Sequence, residues 1–281
     1  MKTTMNIRNL FQDPSQTGGG STTSTSEVGH TKNVANFQTL ISYCTGYGVT
    51  YNPSLAAIKL ANMNTLYTNA QAALTAVSNK YTLYKNAVNA RQVLFLPMKS
   101  FATRIIAALI ASGASAQTIK NAKAINRKIQ GKRAKTIVPP DPNVDTGGVS
   151  AEKQANPNPI PIVIPINISV SQQSFDNLIQ HFSDLINLLA AEPLYLPNEV
   201  DLKLAALNTL LANLKAVNLT AINAIRDLSN SRISRNKLLY LKVTGLCDIA
   251  EECKSYVRSI FGATSQEYAQ VKAIMFRKQK I

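Results

Sequence analysis

The 281-residue sequence has no tryptophan, only two histidines and three cysteines, and aromatic rings make up 6% of it. A core so poor in rings must be packed from Ala, Leu, Ile and Val, which suits helices lying side by side. Cys44, Cys247 and Cys253 include no CxxC pair and have no histidine beside them. Cys247 and Cys253 are six residues apart, about 120° around a helix, and so share no metal-facing edge. They read as buried free thiols of a reducing compartment. Catalytic motifs are also missing. There is no HExxH, GxSxG, P-loop or GxGxxG, and the inward Glu and ExxH positions of ferritin-like di-metal bundles are absent. His30 falls in an amino-terminal tail and His181 stands alone on a helix, so neither has the neighbours of a catalyst. The expectation is a protein that is not an enzyme and holds no cofactor or metal. The first residues, Met1 to Pro14, contain no apolar h-region, and the longest apolar run is Ile105 to Ala111. Neither a secretory signal nor a membrane span is expected, which points to the cytoplasm, or the interior of a particle, without membrane contact.

The most informative absence is of acid. From Val28 to Pro140 there are 14 Lys and Arg and no Asp or Glu, whereas 171–281 carries 13 against 10. The net charge of +15 therefore sits mostly in the first half.

What the chain does contain is a repeat. Phe37-Gln-Thr-Leu-Ile41 matches Phe175-Asp-Asn-Leu-Ile179. Ile58-Lys-Leu-Ala-Asn-Met-Asn-Thr-Leu66 matches Leu202-Lys-Leu-Ala-Ala-Leu-Asn-Thr-Leu210, and Gly113 to Ile125 matches Gly262 to Ile274. The growing spacing between partners predicts six extra residues around Pro193–Pro197 and five more between Arg235 and Gly262. The fold expected is all-α: two tandem four-helix bundles related by internal duplication and joined by a Pro-rich extended linker. The division is a flexible tail over 1–31, a strongly basic bundle over 32–136, the linker over 137–170 and a second bundle over 171–281.

Within each copy a first helix covers Val34 to Tyr43 or Ser174 to Ala190. The second starts at Asn52-Pro53 or Pro197-Asn198; its apolar residues step by three and four from Met63 to Tyr84 and from Leu207 to Leu228. The third ends at Gly113 or Gly262, with Pro97 interrupting it in the first copy. The fourth is capped by Ser115, or by a capping box running from Thr264 to Glu267. Asp248, Glu251 and Glu252 are the one carboxylate cluster, and Lys254 and Arg258 on the same helix are their expected partners.

In the linker, Ile160, Ile162, Ile164, Ile166, Ile168 and Val170 occupy alternate positions, so an extended chain places six branched aliphatics on one face. Pro161 and Pro165 argue against a central strand. Such an arm must dock, either on this chain or on a neighbouring subunit. A second candidate surface is the basic run containing Lys120, Lys123, Arg127, Lys128, Lys132, Arg133 and Lys135. Lys120, Lys123 and Arg127 share one helical face opposite the isoleucines, suited to a polyanion or to an acidic protein surface. No helix-turn-helix, zinc-finger or aromatic RNA-binding pattern accompanies them, so any nucleic-acid binding would be nonspecific.

The segment from Ser255 to Lys278, which includes Phe261-Gly-Ala and Met275-Phe-Arg-Lys278, resembles a carboxy-terminal signature of uncharacterised helical bacterial proteins. The resemblance covers about one and a half helices. It implies a bacterial or bacteriophage origin and brings no activity with it. The function expected is that of a non-enzymatic structural or assembly protein making protein contacts, with itself or with other subunits, inside a larger particle. The alternatives are a nonspecific nucleic-acid-binding protein acting through the first copy, and a cargo or effector of a bacterial machine.

Overall fold

The computed structural model describes residues 27–132 and 173–279. They form eight α-helices and no strand. These are α1 (Glu27–Gly46), α2 (Leu60–Phe95), α3 (Met98–Ala111), α4 (Ala116–Gln130), α5 (Phe175–Ala190), α6 (Leu204–Tyr240), α7 (Leu246–Phe261) and α8 (Gln266–Lys272). The protein is all-helical, in keeping with its sequence.

The compact units cut across the ranges 32–136 and 171–281 instead of following them. Unit one is built from Gln92–Asn218, and unit two from the described residues before Gln92 together with those from Leu219 onward. The core of unit one joins Met98, Ile105 and Leu109 of α3 and Ala122 and Ile129 of α4 to Leu178, Phe182, Leu185 and Leu189 of α5 and Leu207 and Leu214 of α6. The core of unit two joins Phe37, Leu40 and Cys44 of α1 and Met63 and Ala70 of α2 to Leu246, Cys253 and Val257 of α7 and Val271 of α8. Each unit thus combines helices from both halves of the sequence. The reason lies in α6. Its apolar stripe is continuous, but α5 and the α3–α4 pair cover its beginning, while its end belongs with α1 and α7.

Several element boundaries differ from expectation. The second helices begin at Leu60 and Leu204, seven residues beyond Pro53 and Pro197. Each proline lies in an irregular connection that tightens into a 3-10 turn, Ala56–Ile58 or Val200–Leu202. A buried tyrosine closes each turn: the Tyr51 hydroxyl donates to the Ile58 carbonyl at 2.7 Å, and that of Tyr195 to the Leu202 carbonyl at 2.9 Å. A buried carbonyl is thereby satisfied seven residues after the tyrosine in both connections.

Burial distinguishes two candidate partners for the first sequence match. Phe37, Leu40 and Ile41 are buried, and so are Phe182, Leu185 and Ile186, whereas Phe175 is only half-buried at the start of α5. Phe182-Ser-Asp-Leu-Ile186, seven residues later, has the same burial pattern as Phe37-Gln-Thr-Leu-Ile41. The connections 47–59 and 191–203 are equal in length, so neither is longer by the six residues expected around Pro193–Pro197. The other length difference is found at the junction before the third helix. It is two residues with Pro97 at the α3 N-cap in one copy, and the longer turn 241–245 in the other.

Ser115 caps α4 by accepting from the Thr118 N–H. In the matching helix the cap is Ser265, which accepts from the Tyr268 N–H, so Thr264 is not the cap and Glu267 is one position too early for a capping box. Helix α1 begins at Glu27, inside the expected tail, and His30 is buried on it with its Nδ1 at 2.7 Å from the Tyr240 hydroxyl.

Among the described residues, the stretch Leu60–Ala111 is long and apolar enough by composition to cross a membrane, with a mean hydropathy of 1.7 in its most apolar window. A third of that window is buried inside the protein. The apolar face of α3, which is Met98, Ala102, Ile105, Ile106 and Leu109, is core of unit one. Lys99 and Arg104 break up the run, which is why consecutive apolar residues did not mark it.

Candidate functional site

The basic surface lies at the α4 edge of unit one. Lys120, Lys123, Arg127, Lys128 and Lys132 are all exposed there, while Ala122 and Ile129 face the core. Arg133, Lys135 and the aliphatic arm of Ile160, Ile162, Ile164, Ile166, Ile168 and Val170 lie outside the described residues. Lys120, Lys123 and Arg127 border an open groove of about 440 Å³ whose apolar wall is Ile110, Ala116 and Ile119. None of these cations pairs with a carboxylate among the described residues. Arg127 and Lys128 occupy the last turn of α4, where positive charge complements the helix dipole. Gly131 ends the helix at φ 73°, and Gln173 donates to the Lys128 carbonyl at 2.8 Å, joining the α4 end to the start of α5.

Behind this surface His181 is buried on α5, and neither ring nitrogen has a hydrogen-bond partner. Burial, and then the Lys128 charge, push its pKa below the usual histidine value, so the ring stays neutral. The acid-free half of the sequence does not become an acid-free unit. Unit one also contains Asp176, Asp184, Glu192, Glu199 and Asp201, and Asp201 pairs with Arg104 at 2.8 Å on the exposed surface.

The carboxylate cluster is structural. Asp248 and Glu251 both pair with Lys278, at 2.7 and 2.8 Å, and not with Lys254 or Arg258 as helical spacing suggested. Lys254 instead reaches the Ile274 carbonyl and stands over the Phe276 ring. The Lys278 ammonium holds the Asp248 carboxyl below its ordinary range, aided by the Val243 N–H that Asp248 accepts at 2.8 Å. Asn33 completes the arrangement, donating to the Arg277 carbonyl at 2.9 Å and accepting from the Arg277 N–H at 3.0 Å. The carboxy-terminal signature thus anchors the last described residues against α1 and α7. Sequence spacing could not show this, because Asn33 and Arg277 are 244 residues apart.

The centre of unit two holds a chain of soft and hydroxyl groups. Cys44 Sγ is 3.3 Å from Cys253 Sγ, which is 3.2 Å from the Tyr51 hydroxyl. Tyr51 has one proton, and its shortest contact gives that proton to the Ile58 carbonyl. Its oxygen is then free to accept from Cys253, whose sulfur accepts from Cys44. The Cys253 hydrogen bond and burial push the Cys44 thiol far up, and burial does the same to Tyr51.

A different surface is apolar and exposed. In unit one, Leu194 and Leu196 flank an open groove of about 560 Å³ with Ala107, Ala108 and Ala111. Leu196 is 82% exposed and the nearby Val200 is 77% exposed. In the matching connection of unit two, Val49 is 98% and Leu55 is 48% exposed. Among the described residues no group of three or more His, Cys, Asp or Glu side chains could hold a metal ion. No family model, curated protein or solved structure matches the chain.

Proposed function

We propose that this chain is a non-enzymatic assembly protein of a bacterial or phage particle, a duplicated helical fold whose units dock onto protein subunits. The observation that carries this reading is the exposed aliphatic side chains in corresponding connections, Leu194, Leu196 and Val200 in one unit and Val49 and Leu55 in the other. Each such side chain forgoes roughly 1.5–3 kcal/mol by staying in water. Apolar patches left open beside a well-packed core mark contact surfaces. The matched glycines, Gly113 and Gly262, and the tyrosine-closed turns support the duplication, and with it a protein offering two related contacts.

The test is size and partner capture at micromolar concentration. Light scattering of the full chain should show oligomers, or pull-down a stoichiometric subunit, and the double change Leu196→Asp with Val200→Asp should remove that association while leaving the melting curve in place. Compact monomers without a partner would count decisively against this function.

A second reading, nonspecific nucleic-acid binding, is favoured by the exposed cations of α4, which no carboxylate among the described residues neutralises. DNA and RNA affinity should then fall with salt, by about 0.9 logarithmic units per decade of salt for each phosphate contact on duplex DNA. Changing Lys120, Lys123, Arg127 and Lys128 to Gln should flatten that slope. Undiminished binding in the quadruple variant would refute it.

A further inference from the structure

We propose that Cys44 and Cys253 form an oxidation-dependent disulfide that staples α1 to α7 and makes unit two redox-responsive. The two sulfurs come from opposite ends of the chain, 209 residues apart in sequence, and stand 3.3 Å from each other. A disulfide needs about 2.05 Å, so closure requires a movement of about one ångström by side chains already facing each other. Packing does not demand sulfur at these positions. The core of unit one contains no cysteine and is closed by aliphatic and ring side chains such as Leu189, Ile105 and Phe182. The third cysteine is otherwise engaged, since Cys247 Sγ accepts from the Asn33 amide at 3.5 Å.

The oxidant class is a low-molecular-weight disulfide such as oxidised glutathione. Cys253, whose ionised form is favoured by the hydrogen bond from Cys44, loses its proton and attacks one sulfur of the small disulfide. One small thiolate leaves and takes up a proton. Cys44 then loses its own proton and attacks Cys253 Sγ in the mixed disulfide, expelling the second small thiolate, which is protonated in turn. Two cysteines are oxidised, one small disulfide is reduced to two thiols, and no other co-reactant is needed. Both sulfurs are fully buried, so exchange proceeds through opening of unit two or during folding. Once made, the bond is shielded from reductants by the same burial.

The test uses the full chain, unfolded and refolded in a glutathione redox buffer, then alkylated and digested. Trypsin leaves Cys247 and Cys253 on one peptide, so a glutamate-specific protease must follow to cut at Glu251 and Glu252. The expected result is a loss of about 2 Da, a linked Cys44–Cys253 peptide pair and an alkylated Cys247. The oxidised chain should melt roughly 5–15 °C above the reduced one. Cys247→Ser should keep both properties, and Cys44→Ser or Cys253→Ser should lose them. If a Cys44 or Cys253 variant fails to fold, the peptide map of the wild type and of Cys247→Ser decides alone. Three alkylated cysteines after oxidative refolding, a bond that uses Cys247, or an oxidised form that melts no higher than the reduced one would each overturn the proposal.

Discussion

Separating the two sequence copies should destroy both units. In a fragment covering 171–281, α5 keeps the start of α6 but loses α3 and α4, and α7 loses α1. Helix α5 alone buries Leu178, Ile179, Phe182, Leu185, Ile186 and Leu189. At roughly 1.5–3 kcal/mol for each buried side chain these amount to about 9–18 kcal/mol. If only half of that burial is against α3 and α4, about 5–9 kcal/mol is lost, as much as the whole stability of many domains, roughly 5–15 kcal/mol. Unit two suffers in parallel, because Leu246, Cys247, Ile249, Ala250, Cys253 and Val257 of α7 are all buried. Fragments 1–136 and 171–281 should therefore each melt without a cooperative transition by circular dichroism. Mixed together, they should recover one. A cooperatively melting monomer of 171–281 alone, with native-like helicity, would refute the interleaved architecture and restore one bundle per copy.

Two further outcomes follow from buried polar groups. His181 is held neutral in the native state by burial and by Lys128, while in the unfolded chain it gains a proton near its ordinary value. The unfolded state thus binds more protons as pH falls through about 6.5, so His181 makes stability decline between pH 7 and pH 5. Urea midpoints measured across that range should show the decline, and His181→Leu should lessen it; an unchanged slope would remove His181 as a cause. Changing Tyr195 to Phe leaves the buried Leu202 carbonyl without its donor, which should cost about 1–3 kcal/mol in urea unfolding. No measurable loss would show that the tyrosine closure of the turn is dispensable.

Helix content was legible because it rests on local periodicity. The α5 stripe of Leu178, Phe182, Leu185 and Leu189 steps by four and three, and the Gly113 and Gly262 ends and the Ser115 cap follow from local backbone chemistry. Pairing between helices was not legible, since an amphipathic stripe says that a face is buried but not against what. That is why the division of α6 between the units, and the meeting of Cys44 with Cys253, escaped a reading by spacing. The first match was ambiguous for a related reason. Helix α5 contains both Phe175-Asp-Asn-Leu-Ile179 and Phe182-Ser-Asp-Leu-Ile186, seven residues apart, and only burial distinguishes them. Tyr51 and Tyr195 were in principle visible, because they keep the same spacing as the Ile58 and Leu202 segments that do match.

Interleaving changes what the charge asymmetry can mean. If each copy folded by itself, the absence of acid from 28–140 would create one uniformly cationic body, able to attract polyanions over its whole surface. Instead Lys32, Lys59, Lys80, Lys85 and Arg91 enter unit two beside Asp227, Asp248, Glu251 and Glu252, and Lys80 pairs with Asp227 at 3.1 Å. The cations of α3 and α4 enter unit one, where Asp201 neutralises Arg104. Among the described residues, the α4 edge is where several cations stand together without a carboxylate partner, backed by the neutral, buried His181. Among the described residues, polyanion contact should therefore concentrate on this one helix. The Gln substitutions there should weaken it.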